Sequence, residues 1–454
     1  MQQLSKIYSE YVTSVSFENL PQEVVRRAKL HILDHIGVAA AASQAPLYKA
    51  ISKYLGSLKG EGEATIIGEN YMTTSLNAAL LNGLKGHSLE LEDGHRLSAC
   101  HIGAVVIPAA LAIAEIMDID GKTLITGIVC GYEVMARIGM AMHPWHTKKG
   151  FHPTGTIGPF GAAVAVGKII NLNEERMASA LGIAGTQSSG LLEVVERGQD
   201  VKPLHAGKAA QSGLLAALLA KDGIKGPDTI FEGDKGFLKA MGENVKFELF
   251  TLNLGKDYEI NKTYFKFYSC CRHMHALIDA SLELYNKVKL LDLNSIDEVI
   301  VRTNSVAASL TGKIQEPKTT GEAKFSAPYA VALSLVKGSF GVDELIYDEF
   351  TPNQEALKLA KKVKVLVDPE IDKDYPRSRR SIIEVKLKNG KILQAVVNYP
   401  KGEPENFDEQ SVINKFLTLA SKIFKVERAK EIMESTFKLE EFYKISDFTK
   451  LLRI

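Results

Sequence analysis

Between residues 74 and 221, run after run of the chain carries alanine and glycine on the apolar face of a helix-period pattern. Helices with small faces approach one another closely. Strung together without a fixed repeat length, they close into a compact bundle and not a solenoid. The spacing predicts helices over 74–84, 104–117, 122–142, 158–170, 174–185 and 206–221. An earlier helix starts at Pro21, with Val24, Val25, Ala28, Ile32, Leu33 and Ile36 recurring at helical spacing.

The pattern changes after about residue 270. Residues 298–303 read as a strand, and 381–388 with 392–398 read as a hairpin about Asn389-Gly390, a strong two-residue turn signal. Helices over 273–288 and 328–337 would cover that sheet, and from Asp408 the pattern is helical again. At 454 residues the chain is too long for one core. The expected fold is mainly α: an all-helical domain over 1–268, to which C-terminal helices over 405–454 could return, and a smaller α+β domain over 269–404. No low-complexity linker separates the two, so they are expected to pack together.

Charge narrows the partners. With 55 basic and 54 acidic residues the net charge is +1, which leaves no electrostatic footprint for nucleic acid or an anionic membrane. An anionic small molecule must therefore be held by local cations. The longest apolar runs, near 104–114 and 214–220, fall short of a membrane span. Cys100, Cys130, Cys270 and Cys271 form no CxxC pair and no zinc spacing. They suggest a reducing compartment, and the polar N-terminus lacks a signal-peptide apolar region, so a cytoplasmic location is expected.

Against this even background residues 87–101 stand out. His87, His95 and His101, the carboxylates Glu90, Glu92 and Asp93, and Arg96 fall between two apolar, small-residue runs. Such density of proton donors and acceptors beside buried helices points to acid/base or carboxylate-binding chemistry. His101 sits at a helix start and is expected to carry a proton; His87, among Leu84, Leu89 and Leu91, is expected to be structural. Three further stretches add groups of the same kind. His152 precedes Gly155, Gly158 and Gly161 at a helix start; this is not GxGxxG and follows no strand, so no dinucleotide site is expected. Lys202, His205 and Lys208 precede another small-residue helix. Lys266 lies between Phe265 and Phe267, near Arg272, His273 and His275, where desolvation would lower its pKa and make it a usable base. A metal held by His87, Glu90, Asp93 and His95 is the competing reading, but neither HExxH nor facial-triad spacing is present, so no metal is expected.

In order along nearly the whole chain, these clusters resemble the MmgE/PrpD family. The resemblance begins at Leu20-Pro21-Gln22-Glu23-Val24-Val25 and continues through Asn82-Gly83 and His87-Ser88-Leu89-Glu90-Leu91-Glu92-Asp93, against the family's Leu-Asp-Phe-Asp-Asp. It then takes in His101-Ile102-Gly103-Ala104, Phe151-His152-Pro153-Thr154, Lys202-Pro203-Leu204-His205, Tyr264-Phe265-Lys266, Ala323 to Tyr329, and Pro400-Lys401-Gly402-Glu403-Pro404. Members include 2-methylcitrate dehydratase, cis-aconitate decarboxylase and iminodisuccinate epimerase. The resemblance implies a large helical domain completed by the C-terminal helices, a smaller α+β lid, a homodimer, a polycarboxylate substrate, and a site at the domain junction with neither metal nor organic cofactor. The family's site positions fall on Glu90, His101, His152, Lys202, Lys266 and Tyr329. We therefore expect Glu90, His101, His152, Lys266 and Tyr329 to be catalytic, and Asp93, Arg96, Lys202, Arg272 and His275 to bind substrate. Two departures count against itaconate formation: Glu90 replaces the usual first aspartate, and Gly94 stands where the decarboxylase branch has threonine. The expected reaction is dehydration of a 2-methylcitrate-like hydroxy polycarboxylate, with epimerisation as runner-up and decarboxylation third.

Overall fold

The computed structural model describes residues 3–55, 62–196, 201–345 and 350–454. Its centre is a stack of small-faced helices. Lys202–Lys221 packs between Pro153–Ile169 and Ser75–Ser88, and Gly103–Ile116 and Gly121–Met142 close around them. A Cβ added at Gly207 would lie 2.3 Å from the Leu80 carbonyl oxygen, so the contact between Lys202–Lys221 and Ser75–Ser88 depends on glycine there. Side-chain caps fix where several helices begin: Thr74 accepts from the Asn77 amide, Asp120 from Thr123, and Asn173 from Arg176. Lys202–Lys221 begins four residues before the predicted start, because Pro203 sits in the first turn, where its missing N–H costs nothing.

The C-terminal helices pack back on this bundle. Glu409–Ala420 lies along Gln22–Ala41, and Ile445–Thr449 packs on Gly103–Ile116. Gly121–Met142 is long and apolar enough to cross a membrane by length and composition alone, but its apolar window is buried inside the fold. Its Glu133 and Arg137 pair within it at 2.6 Å.

The C-terminal third forms a four-stranded sheet in the order Val363–Val367, Ile296–Thr303, Ser381–Leu387, Ile392–Val397. The first pair is parallel and the others antiparallel. Gly390, at φ +87°, makes the predicted hairpin turn. The edge strand Val363–Val367 was not predicted from the sequence. His275–Val288 and Ala327–Lys337 pack against each other and the sheet. The fold is thus mainly α, as expected. Its second hydrophobic core, under the sheet, also takes in Leu81, Leu84, Leu89 and Leu91 from the end of Ser75–Ser88 and the segment after it. That segment therefore lies where the two cores meet.

Candidate active site

The chain leaves Ser75–Ser88 through Glu90, which holds a left-handed φ of +52°. For a residue with a Cβ this conformation costs about 1 kcal/mol and persists only where its surroundings enforce it. Leu89 and Leu91 enter the sheet-side core, while the Glu90 and Glu92 carboxylates meet the two lysines. Lys266 Nζ donates to Glu90 Oε2 at 2.9 Å and to Glu92 Oε1 at 2.7 Å. Lys202 Nζ pairs with the other Glu90 oxygen. The same Glu92 Oε1 lies 3.1 Å from Nδ1 of both His87 and His101. The His152 ring stacks on His87 at 5.7 Å between centroids, and the His101 ring lies 4.9 Å from His87 on a tilted plane. His152 Nδ1 is hydrogen-bonded to His205 Nδ1 at 3.0 Å.

Two ammonium groups thus face two carboxylates in a buried setting. Burial disfavours the Glu90 anion, but Lys202 and Lys266 outweigh it and hold its carboxyl well below the ordinary range; Lys266 does the same for Glu92. Lys266 is raised above an ordinary lysine. Burial opposes its charge, and Glu90 and Glu92 together more than reverse that effect. This corrects the expectation of a desolvated lysine base: Lys266 is a fixed cation. The imidazoles move the other way. Burial, reinforced by Lys266, pushes His101 down to about 3, and burial with Lys202 holds His152 well below the usual histidine range.

His101 is therefore neutral, and its tautomer follows from its partner. Its Nδ1 lies 3.0 Å from the Asp93 carbonyl oxygen, which can only accept, so the ring proton is on Nδ1 and Nε2 carries the lone pair. Among the described residues nothing hydrogen-bonds to Nε2 of His101 or His152, and the His101 side chain is 14% exposed. Both His87 nitrogens are sealed and lack an aligned partner. The Nε2 atoms of His101 and His152 are thus the ring nitrogens that have no protein partner among the described residues and do not belong to the sealed pair on His87. The helices Gly103–Ile116, Pro153–Ile169 and Lys202–Lys221 begin within two residues of His101, His152 and Lys202, so three positive helix ends add to the two lysines. The arrangement sets two neutral imidazoles beside two carboxylate-paired ammonium groups and three helix starts.

Other expected site residues are engaged elsewhere. Asp93 accepts from the Gly103 amide at 2.9 Å and the Tyr132 hydroxyl at 2.7 Å, and lies 3.2 Å from His31, so it secures the start of Gly103–Ile116. Arg96 and Arg272 were expected to clamp substrate, but both bind Glu403, at 3.2 and 3.1 Å, and Arg96 also binds Glu405 at 2.7 Å. His275 Nδ1 accepts from Arg272 at 3.0 Å. The Tyr329 hydroxyl accepts from the Asn353 amide at 3.0 Å, and no described contact joins it to the cluster. We expect Arg96→Gln to cost about 1 kcal/mol of stability, read as a lower thermal midpoint, with KM unchanged; a large rise in KM would return Arg96 to the binding site.

The expected site residues omitted Glu92, the hub of the cluster, and His205. The available signal for Glu92 was the Leu89-Glu90-Leu91-Glu92 alternation, which turns both carboxylates away from the leucines. His87, expected to be structural, lies against Glu92. His87, Glu92 and His101 each bring one potential ligand atom within 4.8 Å of the others, a spacing that would fit a metal ion. However, Glu92 Oε1 already accepts from the Lys266 ammonium, and a dication there would sit against that charge. Two open surface clefts of about 460 and 480 Å³ lie elsewhere, one on the C-terminal helices and one around Tyr268 and Asp279.

The chain matches the family model of the MmgE/PrpD N-terminal domain over residues 6–249 and that of the MmgE/PrpD C-terminal domain over residues 268–439. It is 27% identical over 464 residues to a cis-aconitate decarboxylase of Aspergillus terreus, an alignment covering 98% of this chain and 94% of that one. To a cis-aconitate decarboxylase-like protein of Aspergillus oryzae it is 28% identical over 467 residues, covering 97% and 95%. To the cis-aconitate decarboxylase of Mus musculus it is 24% identical over 470 residues, covering 100% and 94%.

Proposed function

Because the chain belongs to the MmgE/PrpD family, we propose that it is a lyase, needing no metal or organic cofactor, that dehydrates a hydroxy polycarboxylate of the 2-methylcitrate type. The observation that carries this reading is the neutral His101, its Nε2 lone pair open beside two ammonium groups and three helix starts. His101 Nε2 takes the proton from the carbon next to a substrate carboxylate. The charge that develops on that carboxylate is stabilised by Lys202, Lys266 and the helix N-termini, already oriented before the reaction. The electron pair forms the carbon–carbon double bond as the neighbouring hydroxyl departs, taking a proton from His152 Nε2 to leave as water. The imidazolium formed at His101 keeps its Nδ1 proton donated to the Asp93 carbonyl oxygen, and its charge faces the ionised Glu92 carboxylate 3.1 Å away.

A resting base suits proton abstraction, the first step of dehydration. Gly94 supports the same ranking: a Cβ there would lie 2.5 Å from the Tyr264 hydroxyl, so tyrosine fills the space where the decarboxylase branch carries its threonine side chain. Decarboxylation is the second reading, favoured by the names of the relatives. It would use the ammonium of Lys266 to protonate the carbanion left by loss of carbon dioxide. A panel of hydroxy polycarboxylates and cis-aconitate separates the two. Dehydration gives rising ultraviolet absorbance from a conjugated double bond without gas release, whereas decarboxylation gives carbon dioxide from cis-aconitate. No change with any member of the panel would remove the proposal. Dialysis against a strong chelator is expected to leave turnover intact, and loss restored only by a divalent ion would contradict the metal-free mechanism.

A further inference from the structure

His205 stands in the first turn of Lys202–Lys221, three residues beyond Lys202. Two glycines pack against His205. A Cβ at Gly155 would lie 3.1 Å from the His205 Cβ, and Gly190, at φ +139°, passes close to the ring while its carbonyl accepts from the His152 amide at 3.1 Å. This seat brings His205 Nδ1 to 3.0 Å from His152 Nδ1, with ring centroids 5.2 Å apart. His205 is half-buried, and its Nε2 has no hydrogen-bond partner among the described residues. His152 is buried, and its own Nε2 likewise has no hydrogen-bond partner among the described residues.

Resting on the lyase reading above, this pair has a chemical consequence. A neutral imidazole cannot give up its Nε2 proton alone, because an imidazolate would form. It must receive a proton at Nδ1 in the same event, and the partner on His152 Nδ1 is His205. We propose that His205 relays protons between His152 and solvent. As His152 Nε2 protonates the departing hydroxyl, His152 Nδ1 takes the proton from His205 Nδ1, and His205 Nε2 takes one from water. One proton enters as one leaves, both rings stay neutral, and their tautomers exchange. After product release His101 gives the abstracted proton to solvent, and water admitted to the site reprotonates His152 Nε2 and runs the transfer back. Burial, with His87 and Lys202, holds His205 down to about 4, so the ring is neutral as the relay requires.

Three variants test the relay on whichever panel substrate the wild type turns over. His205→Phe keeps a ring but carries no proton. His205→Asn can hydrogen-bond to His152 and hold its orientation, yet cannot exchange tautomers. His205→Ala leaves space for free imidazole. The relay predicts that kcat falls about 100-fold in Phe and Asn alike, with KM changed by no more than about twofold. It also predicts that added imidazole restores kcat saturably in His205→Ala. Wild-type kcat in His205→Asn would show that His205 only orients His152, and a folded His205→Ala unresponsive to imidazole would likewise overturn the relay. Where His205→Phe does not fold, the Asn and Ala arms decide. A wild type inactive on the whole panel overturns the lyase reading; an active wild type with unimpaired His205 variants overturns the relay alone.

Discussion

Lys266→Met is expected to lower kcat by about 100- to 1,000-fold and to destabilise the protein by about 3–5 kcal/mol. The two effects share one cause. Lys266 is fully buried and its ammonium bridges Glu90 and Glu92, so methionine keeps the volume but leaves two buried carboxylates with less positive charge. Glu90 retains Lys202; Glu92 is left facing the His87 and His101 rings. In the wild type the depressed carboxyls of Glu90 and Glu92 mean that the native state binds fewer protons than the unfolded chain. Their contribution is thus fully present above the ordinary glutamate range and is lost as pH falls through their lower folded values. In the variant the sign reverses at Glu92. Burial, no longer offset by Lys266, raises its carboxyl above the unfolded value, and stability recovers as pH falls through that raised value. Denaturant midpoints at about pH 8 and about pH 5.5 should show a smaller deficit at the lower pH. A folded Lys266→Met with near-normal turnover and a pH-independent deficit would contradict this placement.

His101→Asn is expected to lower kcat about 100-fold or more, with less effect on KM, because asparagine keeps a polar group of modest size but has no titratable nitrogen. His87→Asn is expected to act mainly on thermal stability, since both His87 nitrogens are sealed from a ligand. The pH profile adds a sharper check. His101 is held down to about 3, so it is already the free base throughout the neutral range. The acid limb of kcat/KM due to His101 should therefore lie well below the ordinary histidine value near 6.5. The assignment fails if the phenotypes are exchanged, with His101→Asn active but unstable and His87→Asn stable but inactive.

Small-faced helices were legible in the sequence because alanine and glycine at helical spacing have one good use, close packing, and the Gly207 contact shows it. The hairpin about Gly390 was legible from its turn chemistry. Strand Val363–Val367 was not: it is a short, largely exposed edge strand with Lys364 inside it, and it becomes a strand by pairing with Ile296–Thr303 from far earlier in the chain. In the site, the residue types and their order were legible, but their partners were not. Phe265 and Phe267 suggested a desolvated base, yet Phe265 stacks on His31 at 4.4 Å and Phe267 lies under Lys401, while Lys266 turns to the two glutamates. Arg96 and Arg272 looked like substrate clamps because Glu403, which binds both, lies more than 100 residues further along the chain. Local sequence displays a charge; the fold decides which opposite charge meets it.

The most direct measurement is proton NMR of a substrate polycarboxylate in deuterium oxide with chelator-treated protein. The account predicts that the hydrogen on the carbon next to the reacting carboxylate exchanges with solvent deuterium, or is lost from that carbon as the double bond of the product forms, with wild-type protein but not with His101→Asn. Equal exchange by folded His101→Asn, or turnover that appears only when a divalent metal is returned, would contradict it.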